Sequence, residues 1–546
     1  MCVYKQFCNE TFDENGRLKK ITLDYPDNFN FGYDVVDKIA DETPEKRALV
    51  WCNVEGEEHI FSFADIKKYS NQMANVFSNA GIGRGDRVML ILKRHYEYWF
   101  AAVALHKLGA VMIPATYMLT VSDLVYRIKS SRVKAIVCTA QNEVPEKIIA
   151  ALKEADRTAR LWCVQNDIEG FENLTRAMEG ASEEFGRVQT LAADPMMLYF
   201  TSGTTGYPKG VIHDHSYPLA HIVTAKYWHQ IERDGLHLTI SDTGWAKSMW
   251  GKLYGQWLSE AAIFVYDFDR FDAADILPMF AKYHITSFCA PPTILRMMVK
   301  QDISKYDFSS VKHMTTAGEA LNPEVFSIFQ KATGLKIMEG FGQTETTLTI
   351  GNLVGMNPKP GSMGKPSPQY QIELVNQDGK PVASGEVGII AIRANPREVP
   401  GLFLSYFRNQ EQTDANWHDG LYYTGDTAWR DEDGYFWYVG RSDDLSKSSG
   451  YRIGPFEVES VIMELPYVLE CAVVGVPDPI RGQVVKAFIV LTKGQKGSEE
   501  LKKEIQNYVK HHTAPYKYPR KIEFLDAMPK TTSGKIRRTD LRKMTD

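Results

Sequence analysis

The sequence predicts an α/β protein. A large N-terminal domain of stacked, mostly parallel sheets with helices and a β-barrel-like subdomain is expected, followed by a small α/β domain. Three observations carry this. From about Asp86 short apolar runs alternate with helix-periodic segments, the pattern of βαβ units. Between about Ser362 and Gly440 the runs become strand-like and are punctuated by the turn signals Asp378-Gly379 and Asp433-Gly434, as in an antiparallel or barrel-like element. After the polar stretch Gly440–Asp444 a self-contained strand and helix pattern restarts. A chain of 546 residues is too long for one core. The expected division is 1–442 and 443–546, with about 362–440 the β-rich part of the first.

The elements follow in order. Arg87–Leu92 reads as a strand, Tyr96–Leu108 as a helix and Val111–Pro114 as a strand. Ala135–Thr139, Met196–Phe200, Ala262–Tyr266 and Ser287–Ala290 are short apolar runs of buried-strand type. Thr293–Lys300 and Pro323–Thr333 carry helical patterns, and Lys336–Met338 is strand-like. Tyr370–Val375, Val387–Ile392 and Tyr435–Val439 are the strands of the β-rich part. In the last domain a helix at Pro455–Glu464 precedes strands at Glu470–Val476 and Val484–Leu491; a charged helix, Glu499–His511, and a strand, Lys521–Leu525, follow.

Composition narrows the function. Hydrophobic residues are 44% and charged residues 24%, an ordinary globular balance. The net charge of −5 gives no nucleic-acid surface. Seven scattered cysteines form no CxxC pair, which argues against a zinc site or a disulfide framework. The first twenty residues contain Glu10, Asp13 and Glu14 and lack both the apolar core of a signal peptide and the acid-poor character of a transit peptide. The most apolar segment, Tyr98–Met118, is broken by His106, Lys107, Gly109 and Pro114, so no membrane span is read there. A soluble, cytoplasmic protein is expected.

The chemistry concentrates in five segments. Thr201–Gly210 reads TSGTTGYPKG. Its glycines let the backbone curl so that several N–H groups face one anion, the hydroxyls of Thr201, Ser202, Thr204 and Thr205 add donors, and Lys209 adds charge. The spacing is not that of a Walker loop: two residues part Gly203 from Gly206, and Tyr207-Pro208 part Gly206 from Lys209. A surface Gly/Thr turn is the plain alternative, and the phosphate reading ranks above it. Gly340-Phe341-Gly342-Gln343-Thr344-Glu345-Thr346 follows a strand; Phe341 offers a flat face for a base, and Thr344 and Glu345 offer oxygens to Mg²⁺ or phosphate. A turn with a helix cap would look the same alone. Tyr422–Asp426 places a carboxylate after a glycine turn, suited to a ribose diol. Gly440–Glu459 joins a hinge-like polar stretch to a second glycine loop, and Pro529–Lys535 carries a lysine in a hydroxyl- and glycine-bearing loop. Singly, these last three read equally as a tight turn, a linker and a solvated basic tail.

Together, in order and spacing, the five segments resemble the adenylate-forming (acyl-activating, AMP-binding) enzyme superfamily across nearly the whole chain. Within it SDTGW (Ser241–Trp245), SSGYRIGP (Ser448–Pro455), VPDPIRGQ (Val476–Gln483) and APYKYPRKIEF (Ala514–Phe524) are most similar to medium-chain-type acyl-CoA synthetases. The resemblance implies an ATP-dependent ligase with ATP, Mg²⁺ and CoA as cosubstrates or cofactors, acting on a short-to-medium carboxylic acid, branched or aromatic acids included. An acyl-adenylate would form with release of pyrophosphate, and CoA would then displace AMP. It implies that Thr201, Ser202, Gly203, Thr204, Thr205, Gly206 and Lys209 grip the phosphates. Gly318, Glu319, Ala320, Glu339, Gly340 and Phe341 would frame the adenine with Gly342 and Gln343 beside them. Thr344 would contact the α-phosphate, Glu345 and Thr204 the metal, and Asp426 with Arg441 the ribose. Lys535 would act on the developing charge during adenylation. The C-terminal domain would be mobile, rotating about Asp443 to bring Ser449, Gly450, Tyr451, Arg452 and Arg481 to CoA. Tyr117, Trp245, Lys247, Trp250 and Gly342 are expected to line the acyl pocket, with Gly342 leaving that tunnel open. An adenylating module serving another thiol acceptor, or an inactive nucleotide-binding relative, are the alternatives. Neither nucleic acid nor membrane is an expected partner; a homodimer and a lysine acetyltransferase acting on Lys535 are left open.

Overall fold

The computed structural model describes residues 2–201, 208–319, 321–442, 444, 446–448, 451–478, 482–531 and 535–544. Two large sheets dominate. One has eight strands in the order Ser405–Tyr406, Lys209–Asp214, Pro195–Thr201, Val111–Pro114, Arg87–Ile91, Ala135–Cys138, Arg160–Cys163 and Glu172–Asn173. The other has nine: Lys365–Pro366, Ile350–Gly351, Ile337–Phe341, His313–Thr316, Ser287–Cys289, Leu236–Thr239, Ala262–Asp267, Arg47–Asn53 and Glu58–Ser62. Their inner strands run parallel; antiparallel strands close both margins of the nine-stranded sheet and one margin of the eight-stranded sheet, whose other edge strand, Glu172–Asn173, is parallel.

Strand alternation decides the layering. Val88 and Leu90 join one shared core with Leu49, Trp51, Ile263 and Val265 of the other sheet, whereas Met89 and Ile91 face a separate outer cluster with Leu124, Ile128 and Ile148. The outer face of the nine-stranded sheet is covered likewise, by Leu295, Val325, Phe326 and Phe329. The helices Phe63–Asn79 and Glu97–Leu108 lie in the shared core. Every residue of Glu97–Leu108 is buried, Glu97, His106 and Lys107 included. Tyr98, Trp99 and Trp257 are fully buried there, each contributing about 1.5–3 kcal/mol by removal from water. Ser62 caps Phe63–Asn79 in a capping box with Asp65, and Gly109 ends Glu97–Leu108 at φ +67°. Among the described residues no helix is long and apolar enough to cross a membrane.

The β-rich region is a five-stranded antiparallel sheet of Ile372–Val375, Gly388–Arg393, Leu421–Arg430, Trp417–His418 and Phe436–Arg441. A second five-stranded sheet, Tyr451–Ile453, Ser446–Ser448, Gly482–Leu491, Val468–Asp478 and Lys521–Phe524, builds the C-terminal unit with the helices Pro455–Ile462 and Glu499–His512. That unit has its own apolar clusters. It touches the first at the helix Pro455–Ile462, where the Phe456 ring stands 6.2 Å from that of Tyr438.

Candidate functional site

The parallel strands deliver their C-terminal ends to one region, the usual ligand crevice of open α/β sheets. Thr201 ends one strand, Ala317 follows His313–Thr316, and Ile337–Phe341 runs into the Gly342–Thr346 turn.

The β-rich sheet supplies the most completely held group. Asp426 pairs in register with Arg441 on the neighbouring strand. Its Oδ1 accepts from the Tyr438 hydroxyl at 3.0 Å, its Oδ2 accepts from Gln343 Nε2, and Arg441 Nη1 stands 3.4 Å from Oδ2. Gln343 Nε2 and Arg441 Nη1 also donate to the Thr424 carbonyl, each at 2.9 Å. Gly425 is required at φ +74°: a Cβ there would lie 2.6 Å from Arg441 Nη2. Burial pushes the Asp426 carboxyl up, while Arg441, Tyr438, Gln343 and Lys535 pull it down. The Phe341 ring lies 6.3 Å from that of Tyr438, so the flat face expected for a base and the carboxylate expected for a ribose share one wall.

Glu339 lies beneath the adjoining loop. Its Oε1 accepts from the Leu321 N–H at 3.4 Å, Oε2 is buried without a partner, and burial raises the carboxyl to about 8. Gly318 adopts φ +104°, and the Glu319 carboxylate turns outward to Thr293 (2.9 Å) and Arg296 (3.3 Å). The Glu319 side chain is thus engaged by the helix Pro292–Met298.

Thr344 and Glu345 follow Gln343 in a turn closed by Gln343 N–H donating to Thr346 Oγ1 at 3.0 Å. His213 Nε2 donates to the Thr344 carbonyl at 2.7 Å, which fixes the proton on that nitrogen. Burial holds this imidazole down at about 4. Glu345 Oε1 accepts from the Tyr406 hydroxyl at 2.8 Å, and its carbonyl accepts from Phe403 N–H at 2.8 Å. The Lys209 ammonium sits 5.0 Å over the Tyr406 ring. Residues 202–207 of the threonine-rich loop lie outside the described residues; the pairing of Thr201 with Lys209 fixes both its ends. A hard cation such as Mg²⁺ uses one or two carboxylates together with phosphate oxygens and water, and the lone carboxylate of Glu345 fits that donor set. Among the described residues no group of three His, Cys, Asp or Glu side chains could hold a metal.

Trp245, Lys247 and Trp250 lie at and within the helix Ala246–Gly251. The Lys247 ammonium donates to the Ala317 carbonyl, and burial lowers its pKa, with Lys535 adding to the effect. Trp250 packs with Trp228, Met338 and Leu348. A Cβ on Gly342 would meet the Trp250 ring at 2.4 Å: the room left by this glycine is taken by the indole. Tyr117 packs instead with the outer cluster of Ile91, Leu119 and Leu124, apart from the two tryptophans.

Lys535 is exposed and bonded through its backbone to Thr531, N–H to Oγ1 at 3.2 Å and carbonyl from N–H at 2.7 Å. Its charge is close enough to lower the pKa of both Asp426 and Lys247. Ala320, Asp443, Ser449, Gly450 and Arg481 lie outside the described residues. Tyr451 and Arg452 belong to a described strand of the C-terminal sheet. Tyr406, Tyr438 and His213 were not legible as site residues, because each acts through a contact made only in the folded chain.

The comparisons agree with this geometry. Residues 36–407 match the AMP-binding enzyme family and 457–535 its C-terminal domain. Mitochondrial acyl-coenzyme A synthetase ACSM3 of Mus musculus is 44% identical, covering 99% of this chain and 95% of its own. Mitochondrial acyl-coenzyme A synthetase ACSM5 of Homo sapiens is 42% identical over 95% and 90%. Among solved structures the anthranilate CoA ligase AuaEII, in complex with anthranoyl-AMP, superposes with a TM-score of 0.87 at 28% identity, covering 95% of this chain and 98% of its own. A benzoate CoA ligase from Burkholderia xenovorans LB400 gives 0.83 at 26% identity, over 94% and 100%. The chain belongs to the AMP-binding enzyme family and, within it, to the medium-chain acyl-CoA synthetases. It is an AMP-forming acid–thiol ligase. One expectation is corrected: relatives matching nearly the full chain are mitochondrial by name, which overturns the cytoplasmic assignment. The composition of the first residues carried that assignment and was no guide to compartment.

Proposed function

We propose that the protein joins a short-to-medium-chain carboxylic acid, branched or aromatic acids included, to CoA through an acyl-adenylate. The observation that carries the reading is that Phe341, at the end of a strand of the nine-stranded sheet, and Asp426, on the β-rich sheet, share one wall through Tyr438 and Gln343, with Glu345 two residues beyond Gln343 and the charge of Lys535 acting on Asp426. Asp426 is already held by three donors and would take the ribose hydroxyls without reorganising. Phe341 and the Gly318 loop would hold the adenine. Lys209 and the threonine-rich loop would bind the β- and γ-phosphates, with Thr344 at the α-phosphate. Glu345, oriented by Tyr406, would hold Mg²⁺, which when bound neutralises phosphate charge.

In the first step an oxygen of the substrate carboxylate attacks the α-phosphorus, the bond to the bridging oxygen breaks, and pyrophosphate leaves. Lys535 stabilises the charge that develops between carboxylate and α-phosphate. In the second the CoA sulfur, its proton lost, attacks the acyl carbon and AMP leaves. For that step the C-terminal unit rotates about Asp443, withdrawing Lys535 and presenting Ser449, Gly450, Tyr451, Arg452 and Arg481 to CoA. The proposed boundary falls between the two matched family regions, which end at 407 and begin at 457.

Trp250 sets the acid's size, because its indole rests on Gly342 and closes the space behind it. Lys247 lies within the same helix and Trp245 caps it, whereas Tyr117 packs with the outer cluster. A panel of carboxylates assayed for pyrophosphate release with and without CoA tests the reading. Pyrophosphate release on acids of short and medium length, with thioester formed only when CoA is present, is the expected outcome. Pyrophosphate release with no thioester on any acid would overturn it.

A further inference from the structure

The geometry points to Tyr406 as a positioning residue for both charged arms of the adenylation site, its hydroxyl aligning the Glu345 carboxylate and its ring seating the Lys209 ammonium. The inference rests on the roles proposed above for those two residues. Tyr406 lies on the two-residue margin strand Ser405–Tyr406, paired with the strand that starts at Lys209. The segment around it is stitched to both sides. Phe407 N–H donates to the Gly210 carbonyl at 2.6 Å, Leu404 N–H to Ile212 at 2.8 Å, and Phe403 N–H to the Glu345 carbonyl at 2.8 Å. Its ring is 3% exposed and packs 4.9 Å from Phe403, so neither contact depends on a wandering side chain.

The hydroxyl donates its proton to Glu345 Oε1. One oxygen of Glu345 is thereby committed at 2.8 Å, which orients the carboxylate as a hydrogen bond to its non-coordinating side orients a metal ligand. The ring face, negative by its quadrupole, holds the lysine 5.0 Å away without neutralising it.

Two substitutions separate the arms. Y406F keeps the ring and removes the hydroxyl; Y406L removes both. Mn²⁺ titrated against the enzyme with ATP, read by electron paramagnetic resonance, should bind about tenfold more weakly in Y406F, the effect of one lost charge-assisted bond. ATP binding in EDTA, read by calorimetry, should be unchanged in Y406F and weakened in Y406L. In an E345Q background Y406F should add nothing to the loss of Mn²⁺, since the two groups act as one unit. Wild-type Mn²⁺ affinity in E345Q would overturn the metal reading of Glu345. Loss in E345Q with wild-type affinity in Y406F, or an undiminished Y406F effect in E345Q, would overturn the role of Tyr406. So would a Y406F that lowers both affinities and the melting temperature together, since that is a packing defect.

Discussion

Asp426 and Lys535, the groups proposed above for the ribose and for the charge developed in adenylation, are held in opposite ways. Asp426 is buried on a ten-residue strand, paired in register with Arg441 and bonded to Tyr438 and Gln343. Lys535 is exposed, and the bonds described for it are backbone ones to Thr531. The difference separates a group that must not move from one that must. A ribose ligand serves both half-reactions and benefits from rigid donors. An ammonium needed in one half-reaction is better placed on a unit with its own core, touching the rest through few contacts.

The largest effect should come from breaking the rigid side. D426A should lower kcat/KM for ATP about a thousandfold, because truncating one member of a buried charged network costs roughly 2–5 kcal/mol. Steady-state kinetics with varied ATP measures it, and the loss should appear in both half-reactions. Y438F removes one of the three donors and should cost about tenfold in the same constant, the usual worth of one bond to a charged group. A larger loss in Y438F than in D426A would mean that the tyrosine, not the carboxylate, does the binding.

The rigid side should also set the acid limit. His95, His106, His213, His215, His221, His229, His237 and His313 are buried with lowered pKa values, burial being the first cause in each. That is eight of thirteen histidines. Below about pH 6.5 the unfolded chain binds protons at these sites that the folded chain refuses until its lower values, near 4 for His213. Stability should therefore fall as pH drops from about 6.5 toward 4, read as a falling urea midpoint. A midpoint flat over this range would contradict the burial of these rings.

The mildest change concerns selectivity. W250A should leave the nucleotide side untouched and shift preference toward longer acids, by about tenfold per methylene accommodated. An unchanged chain-length profile would remove Trp250 from the pocket.

Much of this architecture was legible in the sequence. Pro323–Thr333 follows from a proline at the first helical position after Asn322 and from Gly334 behind it, and the helix occupies those residues. Val111–Pro114 is likewise a strand as read. The strands around the motifs were visible because buried parallel strands are apolar without interruption. Arg47–Asn53 carries the same kind of run, Ala48–Cys52, yet is a strand not read above; it pairs with Ala262–Asp267 next to the edge of the nine-stranded sheet. The wider turns at Gly32–Asp37 and Val223–Trp228 have no sequence mark. At the site, the residues that bear charge stood out by type. Their holders did not, because a tyrosine such as Tyr406 or Tyr438 reads as core until the fold sets its hydroxyl against a carboxylate. Gly342 shows the same limit: a glycine signals room, and only packing tells that an indole fills it.

The most direct test of a site completed by a visiting C-terminal lysine is to split the reaction in K535A. ATP–pyrophosphate exchange should fall at least about a hundredfold, the cost of one missing charge-stabilising donor, while thioester formation from supplied acyl-adenylate and CoA proceeds at the wild-type rate. Full exchange in K535A, or an equal loss in both half-reactions, would contradict the account.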